Sequence, residues 1–224
     1  MVRTGRFFFA LFSLFRFSLS LGLLERPLVV GLFWALFTGD IETSLYIAIF
    51  FELFWLDLIP VGTYIPPHLT AATFAALSLT TYFGFSAPGR IMGILFMSMP
   101  LAWVGAKLEF ILREQEKGSY NSLLNWSRNP KDQNVPSILV ARAIGRKLIF
   151  SFSTFYLCLL VLMFTFQAFI SLFPGFLLSI DITWAHLWIA ATLGGLMALR
   201  LKRVYVVLAI GTALVAFYLA SMSI

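Results

Sequence analysis

Only one cysteine, Cys158, occurs in the 224 residues, so no intrachain disulfide framework and no thiolate metal site of two or more cysteines is possible. It lies within an apolar run with no cationic neighbour in sequence, which reads as an inert buried thiol. Charge is scarce as well: Asp, Glu, Lys and Arg together make up 12% of the chain. The known catalytic signatures are missing, with no GxxxxGK[ST] phosphate loop, no nucleophile elbow and no His-Glu-x-x-His zinc helix. His186 stands beside Trp184 without a second ligand at metal spacing and reads as a satisfied histidine near an interface. Neither a catalytic role nor a cofactor is expected.

Apolar residues fill the space that charge leaves. Sixty per cent of residues are hydrophobic, 25 of 224 are Phe, and mean hydropathy is +0.92. A soluble domain of this size has no single core that hides so much apolar surface. The expectation is an all-α integral membrane protein, one transmembrane domain over residues 1–224, with about six to eight hydrophobic helices. The net charge of +6 and pI of 9.7 do not signal nucleic acid, because the basic residues gather between apolar runs, where they orient spans.

Those runs are residues 7–24, 28–38, 43–59, 69–86, 91–106, 148–173, 184–199 and 204–222. The first resembles a signal peptide after Arg3 and Arg6 but lacks a small-x-small cleavage site, so it reads as a retained anchor. Residues 28–38 reach only about half of a ~30 Å hydrocarbon core at ~1.5 Å per residue. A broken or re-entrant element within residues 28–68 follows. Between residues 107 and 147 stand Lys107, Arg113, Lys117, Arg128, Lys131, Arg142, Arg146 and Lys147 against four acidic residues. By the positive-inside bias this region is cytoplasmic, whereas the loop at Pro174–Asp181 has no basic residue and reads as external. Counting back from residue 107 puts residues 60–68 inside, and Arg3 with Arg6 favours an internal N-terminus.

Within 107–117, Glu109 with Arg113 and Arg113 with Lys117 share a helical face, as on a helix projecting into water. Tyr120, Trp126, Trp184, Trp188 and Tyr205 fall near run boundaries, where interfacial aromatics sit. Gly194, Gly195, Ala190, Ala191 and Ala198 form a small-residue face for close helix packing.

Glu52 and Asp57 carry the functional argument. A carboxylate at membrane depth costs several kcal/mol unless it is paired, protonated or facing a polar cavity, and so marks a substrate or ion path. Gly39 and Asp40 precede this stretch, and Pro60, Gly62, Pro66, Pro67 and His68 follow it. Backbone broken in this way is tolerated at membrane depth only where protein or a wet cavity satisfies it. Each residue also has an ordinary role open to it. Asp40 can cap the helix that starts near Glu42, Glu52 can pair with a basic group on a neighbouring helix, Asp57 can reach the interface, and His68 can be a turn residue at the membrane surface. On the cost of its charge alone, Glu52→Gln is expected to leave stability unchanged or slightly higher.

The string Arg26-Pro27, Gly39-Asp40, Glu52, Gly62, Pro67 resembles the membrane IIC subunit of the mannose, fructose and sorbose branch of the bacterial phosphotransferase system. The resemblance is dense over residues 26–68, and the rest of the chain follows it in length and in the order of its apolar runs. Departures are Ser44, Ala48, Ile49 and Asp57 where the family is usually Gly-rich, and His68 where an acid commonly follows the proline. Side chains in place of Gly fill space and forbid positive φ, which alters the sugar pocket.

The resemblance implies a sugar-translocating permease subunit in the bacterial inner membrane, multi-pass and oligomeric. It implies a IID membrane partner and soluble IIA and IIB phosphocarriers that receive the phosphoryl group from phosphoenolpyruvate. Glu52 and Asp57 would accept hydrogen bonds from sugar hydroxyls, Asp40 and His68 would line the mouth or hold the turn, and Gly39, Pro60, Gly62, Pro66 and Pro67 would shape the backbone. Two other readings remain open from sequence. One is a sensory homologue that has lost transport, and the other is a proton- or sodium-coupled transporter using the same carboxylates.

Overall fold

The computed structural model describes residues 25–56, 58, 66–128, 135–173, 175, 181–198 and 204–213. Seven helices occur among them, and no strand: α1 Pro27–Thr38, α2 Ile41–Phe54, α3 Leu69–Phe83, α4 Pro88–Arg128, α5 Val135–Leu172, α6 Trp184–Ala198 and α7 Val204–Ala213. Asp57, Pro60 and Gly62 lie outside the described residues, as does the first apolar run.

The expected break between residues 28 and 68 is present. Helix α1 has 12 residues and α2 has 14, lengths of about 18 and 21 Å, and neither crosses a ~30 Å core alone. Their connection is two residues long. Pro27 occupies the first turn of α1, where its missing N–H costs nothing. Gly39 ends the helix at φ 76°, with its N–H donated to the Ala35 carbonyl. This left-handed conformation is accessible to Gly without a Cβ clash. Asp40 then caps α2 by accepting from the Thr43 N–H at 3.1 Å, which is the ordinary role open to it from sequence. The result is a tight helical hairpin. Its arms touch where Gly31 meets Ala48 and the Ser44 carbonyl, so a Cβ at Gly31 has no room.

Helix α3 is the centre of the molecule, buried from Leu69 to Thr80. Trp34 of α1 donates its indole N–H to Thr81 Oγ1 at 3.1 Å and stacks edge-on against Phe74, tying the hairpin to α3. Helix α6 packs against α2 through the small residues identified in sequence. A Cβ on Gly195 would lie 2.6 Å from the Leu53 carbonyl oxygen, and one on Gly194 would meet the Phe54 ring at 3.1 Å. Trp184 and Trp188 of α6 both pack edge-on to Tyr46, and Trp188 donates to the Tyr46 carbonyl at 3.2 Å. These two tryptophans therefore also join helices. His186 is exposed, and its Nδ1 is 2.8 Å from Thr183 Oγ1.

Helices α4 and α5 have 41 and 38 residues, about 60 and 57 Å, roughly twice the hydrocarbon thickness. Each contains a segment apolar and long enough to cross a membrane, Pro88–Gln115 and Ser137–Leu172. The excess length is the polar stretch 107–147, whose two arms are helical. Along it Arg113 pairs with Glu109 at 2.6 Å, and Lys117 pairs with Glu114 at 2.7 Å. Pro100 interrupts the backbone ladder of α4 because it has no N–H to give.

Candidate functional site

Glu52 lies near the C-terminal end of α2, and the hairpin brings it back beside the start of α1. Its Oε1 accepts from Arg26 Nη1 at 3.3 Å, and its Oε2 accepts from the Leu28 backbone N–H at 3.3 Å. Arg26, the residue before the first turn of α1, makes no capping bond with its own side chain. Glu52 supplies that missing function from another helix: it satisfies an orphan N–H and places negative charge at the positive end of the α1 dipole. The pairing with a basic group that sequence left open is thus realised. The glutamate side chain keeps 18% of its surface exposed and the arginine 38%, so the pair borders open space.

Asp40 sits at the other end of the hairpin. Asp40 and Glu52 are 12 positions apart, so about 18 Å of helix divides the two carboxylates. They do not form one constellation.

His68 belongs to neither position. Sequence left it open either as a turn residue at the membrane surface or as a residue lining the mouth of the site, and it is only 6% exposed. It occupies the residue before α3, where its N–H donates to the Ala102 carbonyl of α4 at 2.8 Å, and its Nδ1 is 2.6 Å from Thr70 Oγ1. The cause of its burial is Gly105. A Cβ built there would be 2.6 Å from His68 Cβ, so the glycine leaves the space into which the histidine packs. Pro66 and Pro67 are buried with it.

Beside His68 is a cavity of about 40 Å³ between the first turn of α3 and the α4–α5 pair. Its polar lining comes from His68, Glu109, Lys147, Ser151 and Thr154, among apolar walls that include Leu101 and Phe155. Glu109 is 5% exposed and Lys147 is 6% exposed. Neither was singled out from sequence as a site residue. Both sit where the polar stretch 107–147 begins and ends, and a charge there reads as part of a solvated face. The signal that could have found Glu109 is the long polar helix continuing directly from an apolar one, which buries the first charged turn.

Three separate places thus hold the described candidates: the Arg26–Glu52 pair, the Gly39-Asp40 turn, and the His68 cavity. The family model for the sorbose-specific IIC component of the phosphotransferase system matches residues 6–223. The chain belongs to that family. It is a sugar-transport component of the phosphotransferase system, a membrane permease component that works with other components of that system. The Arg26–Pro67 block on which the sequence resemblance rests lies inside the matched range. A solved structure described as "Structure of membrane protein" shares 14% sequence identity, covering 96% of this chain and 86% of its own, with a TM-score of 0.65. That likeness shows the same all-helical membrane fold. No curated protein matches the chain.

Proposed function

We propose that this IIC component moves sugar past the open end of the α1–α2 hairpin, with Glu52 as the sugar-binding carboxylate. The observation that carries this reading is the way Glu52 is held. Arg26 and the Leu28 N–H fix its orientation from one side, while the carboxylate retains exposed surface and lone pairs beyond those two bonds. A preoriented, charged acceptor suits a polyhydroxylated ligand, because hydrogen bonds to an ionised group are stronger than neutral ones. Asp57, Asp40 and His68 are further substrate-binding candidates, with Gly39, Pro60, Gly62, Pro66 and Pro67 shaping the backbone around them.

Membership in the family and the excess of basic residues between 107 and 147 support the rest of the reading. The chain is one transmembrane domain, multi-pass in a bacterial inner membrane, with residues 107–147 on the cytoplasmic side. It assembles with a IID membrane subunit, and phosphoryl transfer is carried out by soluble IIA and IIB partners rather than by this chain. The test is phosphoenolpyruvate-dependent hexose uptake in membranes that contain all partners, compared between wild type and Glu52→Gln at matched protein levels. Loss of a charge-assisted hydrogen bond weakens binding by about 1.5 to 3 kcal/mol, or roughly ten- to a hundredfold. Equal uptake by both would remove Glu52 from the sugar path.

A further inference from the structure

Helix α5 turns one stripe of side chains outward along most of its length, and two arginines stand at the polar end of that stripe. At about 100° per residue, Arg142, Arg146, Ile149, Leu157 and Phe164 fall within about 80° of one another around the helix, and all five are exposed. From Arg146 to Phe164 the stripe runs about 27 Å. Between Leu148 and Leu172 the helix has no charged residue, a length of about 36 Å that fills a ~30 Å hydrocarbon core with moderate tilt. Arg146 and Arg142 therefore stand at headgroup depth, about one turn apart, directly above side chains that face acyl chains.

Among the described residues no ion pair reaches Arg142 or Arg146. Helix α5 contains no acidic residue, and its third cation, Lys147, is buried. On α4, which packs against α5, Glu109 is engaged by Arg113 and Glu114 by Lys117. The apolar part of the stripe is built for lipid rather than for another helix. Where helices of this chain pack closely they do so on glycine, at Gly31, Gly194 and Gly195, as membrane helix interfaces generally favour small residues. Apart from Ser153, the stripe from Ile149 to Phe164 is bulky. Only 11% of the apolar span of α5 is buried, against 33% for α4.

We infer that this face of α5 binds an anionic phospholipid, with its phosphate held by Arg142 and Arg146 and an acyl chain laid along Ile149, Leu157 and Phe164. A guanidinium fork matches two phosphate oxygens at once, and each basic residue at a membrane surface adds attraction for anionic lipid. A zwitterionic headgroup carries its own cation and gains less. The site includes neither Glu52 nor the His68 cavity, so it stands whether or not Glu52 binds sugar.

The experiment uses the full chain with an environment-sensitive fluorophore attached through Ile149→Cys in a Cys158→Ala background. The protein is reconstituted in vesicles of phosphatidylcholine and phosphatidylglycerol, with one lipid at a time carrying brominated acyl chains. Bromine quenches at contact, so the signal reports which lipid lies against position 149. At equal mole fractions phosphatidylglycerol is expected to quench more strongly, with a preference on the order of tenfold. Arg142→Gln with Arg146→Gln should abolish that preference, and Arg142→Lys with Arg146→Lys should keep part of it. Equal quenching by the two lipids on the native arginines, or a preference that survives both Gln substitutions, overturns the site. Absence of quenching by either lipid overturns it too, because the stripe is then covered by a second copy or by another membrane protein. Should the Gln variant fail to fold, the comparison of lipids on the native arginines still decides, and the preference must weaken as salt rises.

Discussion

Arg26 Nη1 and Glu52 Oε1 stand 3.3 Å apart across the hairpin, joining residues 26 positions apart in sequence. This contact reverses the stability expected of Glu52→Gln from charge alone. With the carboxylate paired to Arg26 and bonded to the Leu28 N–H, neutralising it loses an ion pair and leaves the arginine without that partner. Both side chains are partly exposed, so solvent screening limits the effect to about 0.2–1 kcal/mol. Thermal unfolding of Glu52→Gln, Arg26→Gln and the double variant should give a coupling energy in that range. If the singles are additive, the pair holds nothing together.

Gly105 and His68 make a sharper case. Because a Cβ on residue 105 would lie 2.6 Å from His68 Cβ, and the His68 N–H is fixed to the Ala102 carbonyl, the histidine cannot move aside without breaking a backbone bond. Gly105→Ala is expected to destabilise the protein by about 1–3 kcal/mol through overpacking. Gly118→Ala on the same helix meets nothing within 4 Å and serves as the control. A lower unfolding midpoint for the first and no drop for the second is the expected result.

The turn of the hairpin can be tested at each of its two residues. Asp40→Ala removes the side chain that accepts from Thr43 N–H, a loss of about 0.5–2 kcal/mol. Gly39→Ala forces a side chain into φ 76°, which costs roughly 1–2 kcal/mol. Open space surrounds Gly39, so any loss there is conformational rather than steric. Unfolding midpoints should fall for both variants, and Gly39→Asn should recover part of the loss because Asn tolerates the left-handed region better than Ala does.

The hairpin was legible in sequence because its causes are local. An eleven-residue apolar run is too short to span, and Gly39 followed by Asp40 is a helix stop next to a helix start. The small-residue face of Gly194 and Gly195 was legible for the same reason. Glu52 was recognisable as a costly charge, but its partner was not, since Arg26 is brought to it only by the fold. The burial of His68 was not legible, because nothing in Pro66-Pro67-His68 reveals that Gly105, on another helix, leaves space for it. Glu109 and Lys147 were hidden by context: each lies at the edge of a basic, polar stretch, and helical spacing cannot say which turn of such a stretch is still covered by a neighbouring helix.

The side of the membrane on which that stretch lies is the last expectation open to direct measurement. Helices α4 and α5 extend about 30 Å beyond what a hydrocarbon core needs, so their joined ends must stand in water on one side or the other. Eight basic residues against four acidic ones between 107 and 147 make translocation of this loop unfavourable and favour the cytoplasm. Ser127 is exposed near the end of α4, which makes Ser127→Cys in a Cys158→Ala background a suitable reporter. An impermeant maleimide added outside intact cells should leave it unlabelled, whereas the same reagent added to inverted membrane vesicles should label it. Labelling in intact cells would place the α4–α5 ends outside and would invert every loop assigned from them, including the side from which the His68 cavity is approached.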